Sequence, residues 1–177
     1  MFNKKVEEAI NHQIEKEAYS SQLYLSMASW AHKNGYSGSA TFLYLQAEEE
    51  RMHMLKLFKY INDRSGHAIV PKVDQPPTEF ESISKIYEQV LTHERHITAS
   101  INNLVGVCID ERDFTTNMFL QWYVQEQIEE EANAQGIIDR LHLMGSDSSL
   151  MYMFDKDMGV FHPAAAAAKG KGAASEA

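Results

Sequence analysis

Four long segments of the chain carry apolar residues at alternating spacings of three and four, which is typical of helices that pack one face against other helices. Each apolar stripe also contains one carboxylate near its middle. Along the chain, these carboxylates are Glu17, Glu50, Glu94 and Glu130. His53 follows Glu50 by one turn on the same side of its segment. The pattern therefore predicts four helices whose inward faces bring acidic side chains together.

A carboxylate buried in a helical bundle destabilises the fold unless it is paired with a cation or coordinates a metal. The four stripes contain neither lysine nor arginine, so ion pairs within the core are not available to these glutamates. The arrangement predicts an all-α fold with a carboxylate metal site in its core.

The ends of the helices follow from capping residues, glycines and prolines. Asn3 and Asp113 are expected to cap the first and fourth helices, and either Ser37 or Ser39 the second, while the third helix is expected to begin at about Ser82. The predicted helices span about residues 6–33, 37–65, 82–110 and 114–144, with a short fifth helix at 146–158. A piece as short as the fifth helix is not stable alone and must pack on the bundle or on another subunit.

The segment between the second and third helices is predicted to be extended, because Val70-Pro71 and Pro76-Pro77 exclude helix. At about 3.3 Å per residue it reaches about 50 Å, whereas a helix of this size spans about 40 Å. The connection can therefore cross the length of the bundle and leave helices two and three parallel, which predicts a four-helix bundle with a long crossover.

Composition narrows the classes of function. The formal net charge is −9 over 177 residues, and without a basic patch nucleic acid is excluded as the main partner. No apolar run approaches the length of about 18 residues that a membrane span needs. Because the charged first residues do not resemble a signal peptide, we predict a cytoplasmic protein. Cys108, the single cysteine, is expected to be a buried thiol. Residues 1–160 form the predicted domain, and 161–177 form a low-complexity Ala/Gly/Lys tail.

With the helices placed, the chain resembles the ferritin family, in particular the bacterial non-haem ferritins, over about residues 1–160. The residues that carry the resemblance are Glu17, Tyr24, Glu49 to His53, Glu94 and Gln121 to Glu131. Ferritin-like di-iron proteins take one glutamate from each of two helices and Glu-x-x-His from each of the other two. This chain departs from that pattern at its fourth helix, where Asn133 stands three residues after Glu130.

The departure favours a ferritin over the di-iron oxidases, because a ferritin site has glutamine near its second iron and Gln127 lies one turn before Glu130. Haem is not expected, because Arg51 stands where the haem-binding relatives have methionine.

The resemblance implies the roles of the site residues. Glu17, Glu50 and His53 would hold one iron, and Glu50 would bridge to a second iron held by Glu94 and Glu130, with Gln127 close by. Hard carboxylate oxygens with one imidazole suit iron. A third iron site would be formed by Glu49, Glu126, Glu129 and the shared Glu130.

Two assignments stay open at this stage. The alternative for Glu49, Glu126 and Glu129 is a solvated inner surface. Tyr24 is either a redox-active or hydrogen-bonding neighbour of the site, or a core tyrosine of the bundle.

The implied function is iron storage with ferroxidase activity. Iron(II) would be oxidised by dioxygen and deposited as ferric oxide-hydroxide inside a hollow shell of twenty-four subunits. The alternatives are a rubrerythrin-like di-iron enzyme, a cytokine-like helical bundle, and a miniature ferritin with its metal site between subunits.

Overall fold

The computed structural model describes residues 2–145 and 147–161, and within them the chain forms helices and no strands. The helices are α1 (Lys4–Lys33), α2 (Ser37–Asp63), α3 (Ile83–Asp110), α4 (Phe114–Met144) and α5 (Ser148–Met158). None of the helices in this part of the chain is long and apolar enough to span a bilayer.

The predicted caps Asn3 and Asp113 are confirmed, and Ser82, the expected first residue of the third helix, is a cap as well. The side chain of Asn3 accepts hydrogen bonds from the first backbone N–H groups of α1, that of Ser82 accepts from Lys85, and that of Asp113 accepts from Thr116. These bonds satisfy donors that a helix cannot satisfy by itself. α2 ends at Asp63, two residues before the predicted end, and Ser65 then adopts a positive φ of 60°.

The predicted cap of α2 is wrong. Neither Ser37 nor Ser39 caps it; instead, Asp155 of α5 accepts hydrogen bonds from the backbone N–H groups of Gly38 (2.9 Å) and Ser39 (2.8 Å). The two backbones meet so closely that a Cβ atom at Gly38 would lie 1.6 Å from the carbonyl oxygen of Asp155. Local sequence could not indicate this cap, because its acceptor comes from a distant helix.

The segment between α2 and α3 runs along the length of α1. Near the start of α1, Asn11 donates a hydrogen bond to the carbonyl oxygen of His67 (3.2 Å). Further along, Ser26 donates to the carbonyl oxygen of Pro77, and Lys33 at the end of the helix pairs with Glu79 at 3.5 Å. The connection therefore carries the chain from one end of the bundle to the other.

The apolar core forms two clusters, one at each end of the bundle. The first cluster joins the C-terminal halves of α1 and α4, the N-terminal halves of α2 and α3, and α5. The second joins the opposite halves of the four long helices. Because α2 and α3 begin in the same cluster, they run parallel, and α1 and α4 run antiparallel to them. This arrangement confirms the four-helix bundle with a long crossover and a short C-terminal helix.

Two further predictions concern Cys108 and the C-terminal tail. Cys108 is a buried free thiol in the second cluster, as expected. The predicted tail, 161–177, lies outside the described residues apart from Phe161, whose ring centroid is 5.7 Å from that of Phe42.

Candidate metal centre

A layer of buried polar side chains separates the two apolar clusters. Its members come from all four long helices, and each is at most 5% exposed. They are Glu17, Glu50, His53, Glu94, Gln127 and Glu130. The structure thus brings the predicted ligands of the iron pair into one layer of the core.

The most compact part of this layer is a group of three side chains. One ligand atom each from Glu17, Glu50 and His53 lies within 4.8 Å of the others. Nδ1 of His53 is 3.6 Å from Oε2 of Glu50. Within the described part of the chain, Oε2 of Glu17 and Oε2 of Glu50 are buried without a hydrogen-bond partner. Unsatisfied buried carboxylate oxygens beside an imidazole are suited to a bound divalent cation.

Glu94 is held differently. Its Oε1 accepts a hydrogen bond from the hydroxyl of Tyr24 (2.5 Å), and its Oε2 accepts one from Nε2 of Gln127 (3.2 Å). The same amide of Gln127 also donates to the backbone carbonyl of Glu94 (3.2 Å) and to Oγ1 of Thr98 (3.3 Å). A cation at Glu94 would therefore have to replace hydrogen bonds, whereas a cation at Glu17 and Glu50 would not.

Two further glutamines donate to carboxylates of the layer. Gln13 donates to Oε1 of Glu17 (2.8 Å), and Gln46 donates to Oε2 of Glu130 (3.2 Å). Both glutamines are buried. Each amide hydrogen bond favours the charged form of the carboxylate and fixes its orientation.

The crowding of acids changes their protonation. Burial raises the pKa of Glu17 well above its ordinary value, and the negative charge of Glu50 raises it further. The pKa of Glu50 is also well raised, first by burial and then by the charge of Glu94. Burial, together with Glu94 and Glu50, has the same effect on the pKa of Glu130. A divalent cation would relieve both the burial cost and the repulsion among these carboxylates.

A second group of possible ligands lies beside the first and shares its imidazole. Ligand atoms of Glu49, His53 and Glu126 fall within 4.8 Å of one another, and both glutamates are partly buried. Partial burial raises the pKa of Glu49, and the charges of Glu126 and Glu129 also raise it. The three residues of the expected third iron site are therefore close enough to interact, with Glu129 acting on Glu49 electrostatically.

Aromatic side chains of α4 support His53. The hydroxyl of Tyr123 donates a hydrogen bond to the backbone carbonyl of His53 (2.8 Å). The Trp122 ring lies edge-on to the imidazole, with 5.2 Å between centroids, and the ammonium of Lys56 lies 3.0 Å from the centre of the Trp122 ring. The Trp122 contact packs the imidazole against α4, and the Tyr123 bond holds the backbone of His53.

Sequence reasoning did not identify Gln13, Gln46 or Tyr123 as parts of the site. A signal for the two glutamines is present, because each stands four residues before a stripe carboxylate, Glu17 or Glu50, and so one turn away on the same helix face. Tyr123 lies on the apolar stripe of α4, and nothing in the sequence separates it from a packing residue.

The chain is similar to known proteins along most of its length. Residues 7–144 match the family model described as a ferritin-like domain. The chain is 42% identical over 156 residues to a bacterial non-heme ferritin of Campylobacter jejuni, covering 88% of this chain and 93% of that protein. It is 39% identical over 158 residues to a bacterial non-heme ferritin of Staphylococcus saprophyticus, covering 89% and 95%.

The fold is similar to solved structures as well. An open-pore ferritin from the hyperthermophilic archaeon Archaeoglobus fulgidus aligns with a TM-score of 0.89 and 40% identity, over 91% of this chain and 98% of that one. A closed form of the same ferritin, engineered by site-directed mutagenesis, aligns with a TM-score of 0.90 and 40% identity, over 92% and 99%.

Proposed function

The chain belongs to the ferritin family, and on that basis we propose that it stores iron and oxidises iron(II) with dioxygen at the buried carboxylate layer. Iron is the substrate and the stored cargo of this reaction. The product is deposited as ferric oxide-hydroxide inside a hollow shell of identical chains.

One observation supports this proposal most strongly. Glu17 and Glu50 each have a buried oxygen without a hydrogen-bond donor from outside the pair, the two carboxyls interact with each other, and both lie beside the imidazole of His53. A protein core does not keep two such oxygens together for stability, because each is costly to bury. The arrangement is explained if these oxygens bind a cation.

We assign the iron ligands as follows. Glu17, Glu50 and His53 bind the first iron(II), and Glu50 bridges to a second position formed by Glu94 and Glu130. Gln127 and Tyr24 orient Glu94 through their hydrogen bonds.

In the oxidation, one electron from each iron(II) passes to dioxygen, which takes up two protons and leaves as hydrogen peroxide. The chain would contribute by holding two iron ions close together, at the separation of about 3.5 to 4 Å that is usual in two-metal sites, so that both electrons are available together.

We propose that Glu49, Glu126 and Glu129, with Glu130, form a third iron position through which iron leaves the oxidation site. It shares His53 with the first position, so iron could move between them without crossing apolar core. A set of acidic side chains on one side of the layer also attracts cations toward it.

The storage role requires an assembly. We propose a homo-oligomeric shell of twenty-four chains, as in the ferritins that the sequence resembles. Cytoplasmic residence remains a prediction of the sequence.

The alternatives are less consistent with this geometry. A miniature ferritin would place its site between subunits, whereas Glu17, Glu50 and His53 meet within one chain. A rubrerythrin-like enzyme would have a second Glu-x-x-His motif, and Asn133 stands at that position. A cytokine-like bundle would have no reason to bury acids from four helices.

The test is aerobic addition of iron(II) to the purified protein and to a Glu50→Ala, His53→Ala variant, following ferric absorbance and particle size. We expect fast oxidation by the parent, with many more irons per chain kept soluble than the two that a di-iron site holds. The variant should lose the fast phase.

Glu48→Ala is the matched control, because Glu48 is an exposed glutamate on the same helix. Equal oxidation rates in parent and double variant would contradict the assigned site. A parent that retains only two irons per chain would contradict storage and favour a di-iron enzyme.

A further inference from the structure

A groove of about 670 Å³ lies on the face of the bundle formed by α1 and α3. Lys72 and Asp74 of the crossover segment form part of its rim. The contacts of α1 with α2 and α3, and of α3 with α4, place this face opposite the one formed by α2 and α4. The groove and the acidic Glu49–Glu126 group therefore lie on opposite sides of the polar layer.

One buried side chain connects the groove to the metal centre. Gln13 lines the groove, yet it is only 2% exposed. Its Oε1 accepts a hydrogen bond from Oγ of Ser100 on the wall of the groove (2.6 Å), and its Nε2 donates to Oε1 of Glu17 (2.8 Å). The Gln13 amide is thus in contact with the groove on one side and with a proposed iron ligand on the other.

The lining of the groove suits an uncharged molecule. Among the described residues that line it, the charges of Glu15 and Asp74 balance those of Lys16 and Lys72, and Lys72 is paired with Asp74 at 3.1 Å. The remaining lining combines apolar residues with polar ones, among them His12, His93 and His96. The apolar residues are Ala9, Val73, Ile97, Leu104 and Val107. The two acids are matched by two lysines, and among the described residues no three possible metal ligands lie together in the groove, so a hydrated divalent cation would lose solvation there without a site to bind it.

The α2–α4 side of the polar layer is acidic. Glu49 and Glu126 lie within ligand distance of His53, and the charge of Glu129 acts on Glu49. That side attracts cations, and the α1–α3 groove does not. The two substrates of the proposed reaction, a cation and an uncharged diatomic gas, therefore have chemically distinct approaches to the same layer.

We propose that the α1–α3 groove is the access route for dioxygen, and that dioxygen passes Gln13 to reach the carboxylate layer while iron(II) arrives from the acidic α2–α4 side. The inference rests on the proposed ferroxidase function, to which it adds the path of the oxidant. Gln13 acts as a gate, because a rotation of its side chain would open the groove toward Glu17.

The test compares variants that fill the groove with variants that do not. Ser100→Phe places a ring beside Gln13, and Ser100→Ala removes the same hydroxyl without filling space. Asn103→Trp is a second filling variant from an exposed position on the groove wall, where added bulk is tolerated. Ala99→Phe is the control, because Ala99 is exposed on α3 and does not line the groove.

Each protein is loaded anaerobically with two iron(II) per chain and mixed with buffers of increasing dioxygen concentration. We expect both filling variants to lower the slope of oxidation rate against dioxygen by about fivefold or more, because the route to the site is narrowed. Ala99→Phe should keep the slope of the parent. Ser100→Ala releases one of the two hydrogen bonds that hold Gln13 without filling space, so it should not lower the slope. Anaerobic calorimetry should give the same iron(II) affinity in all five proteins.

An unchanged slope in folded, iron-binding filling variants would overturn the proposal. Slower iron(II) binding with an unchanged dioxygen slope would also overturn it, since the groove would then be a cation route. A parent that does not oxidise iron(II) would instead contradict the proposed function itself, so the two failures are distinguishable.

Discussion

At the scale of single residues, the metal centre combines carboxylates of two kinds. Glu94 has both oxygens in hydrogen bonds, from Tyr24 and Gln127. Glu17 and Glu50 each keep one buried oxygen without a donor in the described structure. Glu17 and Glu50 can therefore bind a cation without losing a hydrogen bond, whereas Glu94 must exchange hydrogen bonds for a metal bond. This difference would make the two iron positions unequal in affinity.

Replacing Glu50 with glutamine should stabilise the metal-free protein at neutral pH. The pKa of Glu50 is raised well above its ordinary value of 4.5, mainly by burial. The folded state then holds a proton that the unfolded chain releases. The stability that this carboxyl contributes is therefore fully present below pH 4.5 and is lost as the pH rises toward the raised pKa. Glutamine has no such proton, and we expect a gain of about 1 to 2 kcal/mol near pH 7.

The measurement is thermal unfolding with a chelator present, at several pH values. The advantage of Glu50→Gln should disappear at about pH 4, where the carboxyl is protonated in both states. Glu48→Gln, at an exposed position, should show no such pH-dependent gain. A variant less stable than the parent at neutral pH would mean that the buried carboxyl of Glu50 does not destabilise the metal-free protein.

Tyr24 serves as a hydrogen-bond donor to Glu94, one of the two alternatives that the sequence left open. Its pKa is raised, chiefly by burial and then by the charge of Glu94, so the phenol remains a donor at neutral pH. Tyr24→Phe should lower the unfolding free energy of the metal-free protein by about 1 to 3 kcal/mol, because it leaves a buried carboxylate oxygen without its donor.

Denaturant unfolding of the metal-free protein measures this loss. Tyr152→Phe is the control, since Tyr152 is an exposed tyrosine on α5. A loss of equal size in both variants would indicate a general effect of removing the hydroxyl. Redox activity of Tyr24 remains a separate prediction.

At the scale of elements, the short helix α5 depends on the bundle, and α2 depends on α5. Asp155 supplies the cap that the start of α2 lacks, and Gly38 allows the two backbones to approach. Phe154 and Met158 are buried in the first apolar cluster and hold α5 in place. A helix of this length would not persist without such contacts.

Asp155→Ala should cost about 1 to 2 kcal/mol of unfolding free energy, because the backbone N–H groups of Gly38 and Ser39 lose their acceptor. Hydrogen exchange at these two amides should increase in the same variant. Gly38→Ala should release α5 as well, since its Cβ cannot fit against Asp155. Asp157→Ala, at an exposed position on α5, is the control. Unchanged exchange at Gly38 and Ser39 would contradict the capping role.

At the scale of the whole molecule, the bundle is two apolar cores with a polar layer between them. The cores provide the stability, and the layer between them holds the acids that reduce it. Side chains on the outside of the bundle are apolar where α3 ends and α4 begins. Ile109, Phe114 and Met118 are 52%, 67% and 73% exposed in the single chain. Such a patch is typical of a surface that another chain covers.

The double variant Phe114→Glu, Met118→Glu should therefore weaken the assembly. The parent is expected to elute as a particle of about 480 kDa, for twenty-four chains of 20.1 kDa each. The charged variant should shift to smaller species, because burying glutamate in a subunit contact is costly. Light scattering coupled to size-exclusion chromatography measures the mass.

Thr92→Glu, at an exposed polar position on α3, is the control and should keep the parent mass. A double variant that assembles like the parent would place the subunit contacts elsewhere on the surface.

Much of this protein could be predicted from its sequence because the signals are local or periodic. The apolar stripes predict the helices, and Asn3, Ser82 and Asp113 mark helix starts within a few residues. A carboxylate on an apolar stripe, as at Glu94, indicates a buried acid wherever the partner helices lie. The prolines of the crossover exclude helix, and its length permits the parallel arrangement of α2 and α3.

The tertiary structure decided what depends on residues that are distant in the chain. The cap of α2 comes from Asp155, and the donor to Glu130 comes from Gln46 on another helix. The rotation of the four helices against one another decides which carboxylate oxygens keep a free lone pair. It also forms the groove that leads to Gln13. Periodicity determines which face of a helix is buried. It does not determine which atom on a neighbouring helix that face meets, because side-chain packing sets the rotation and register of each helix.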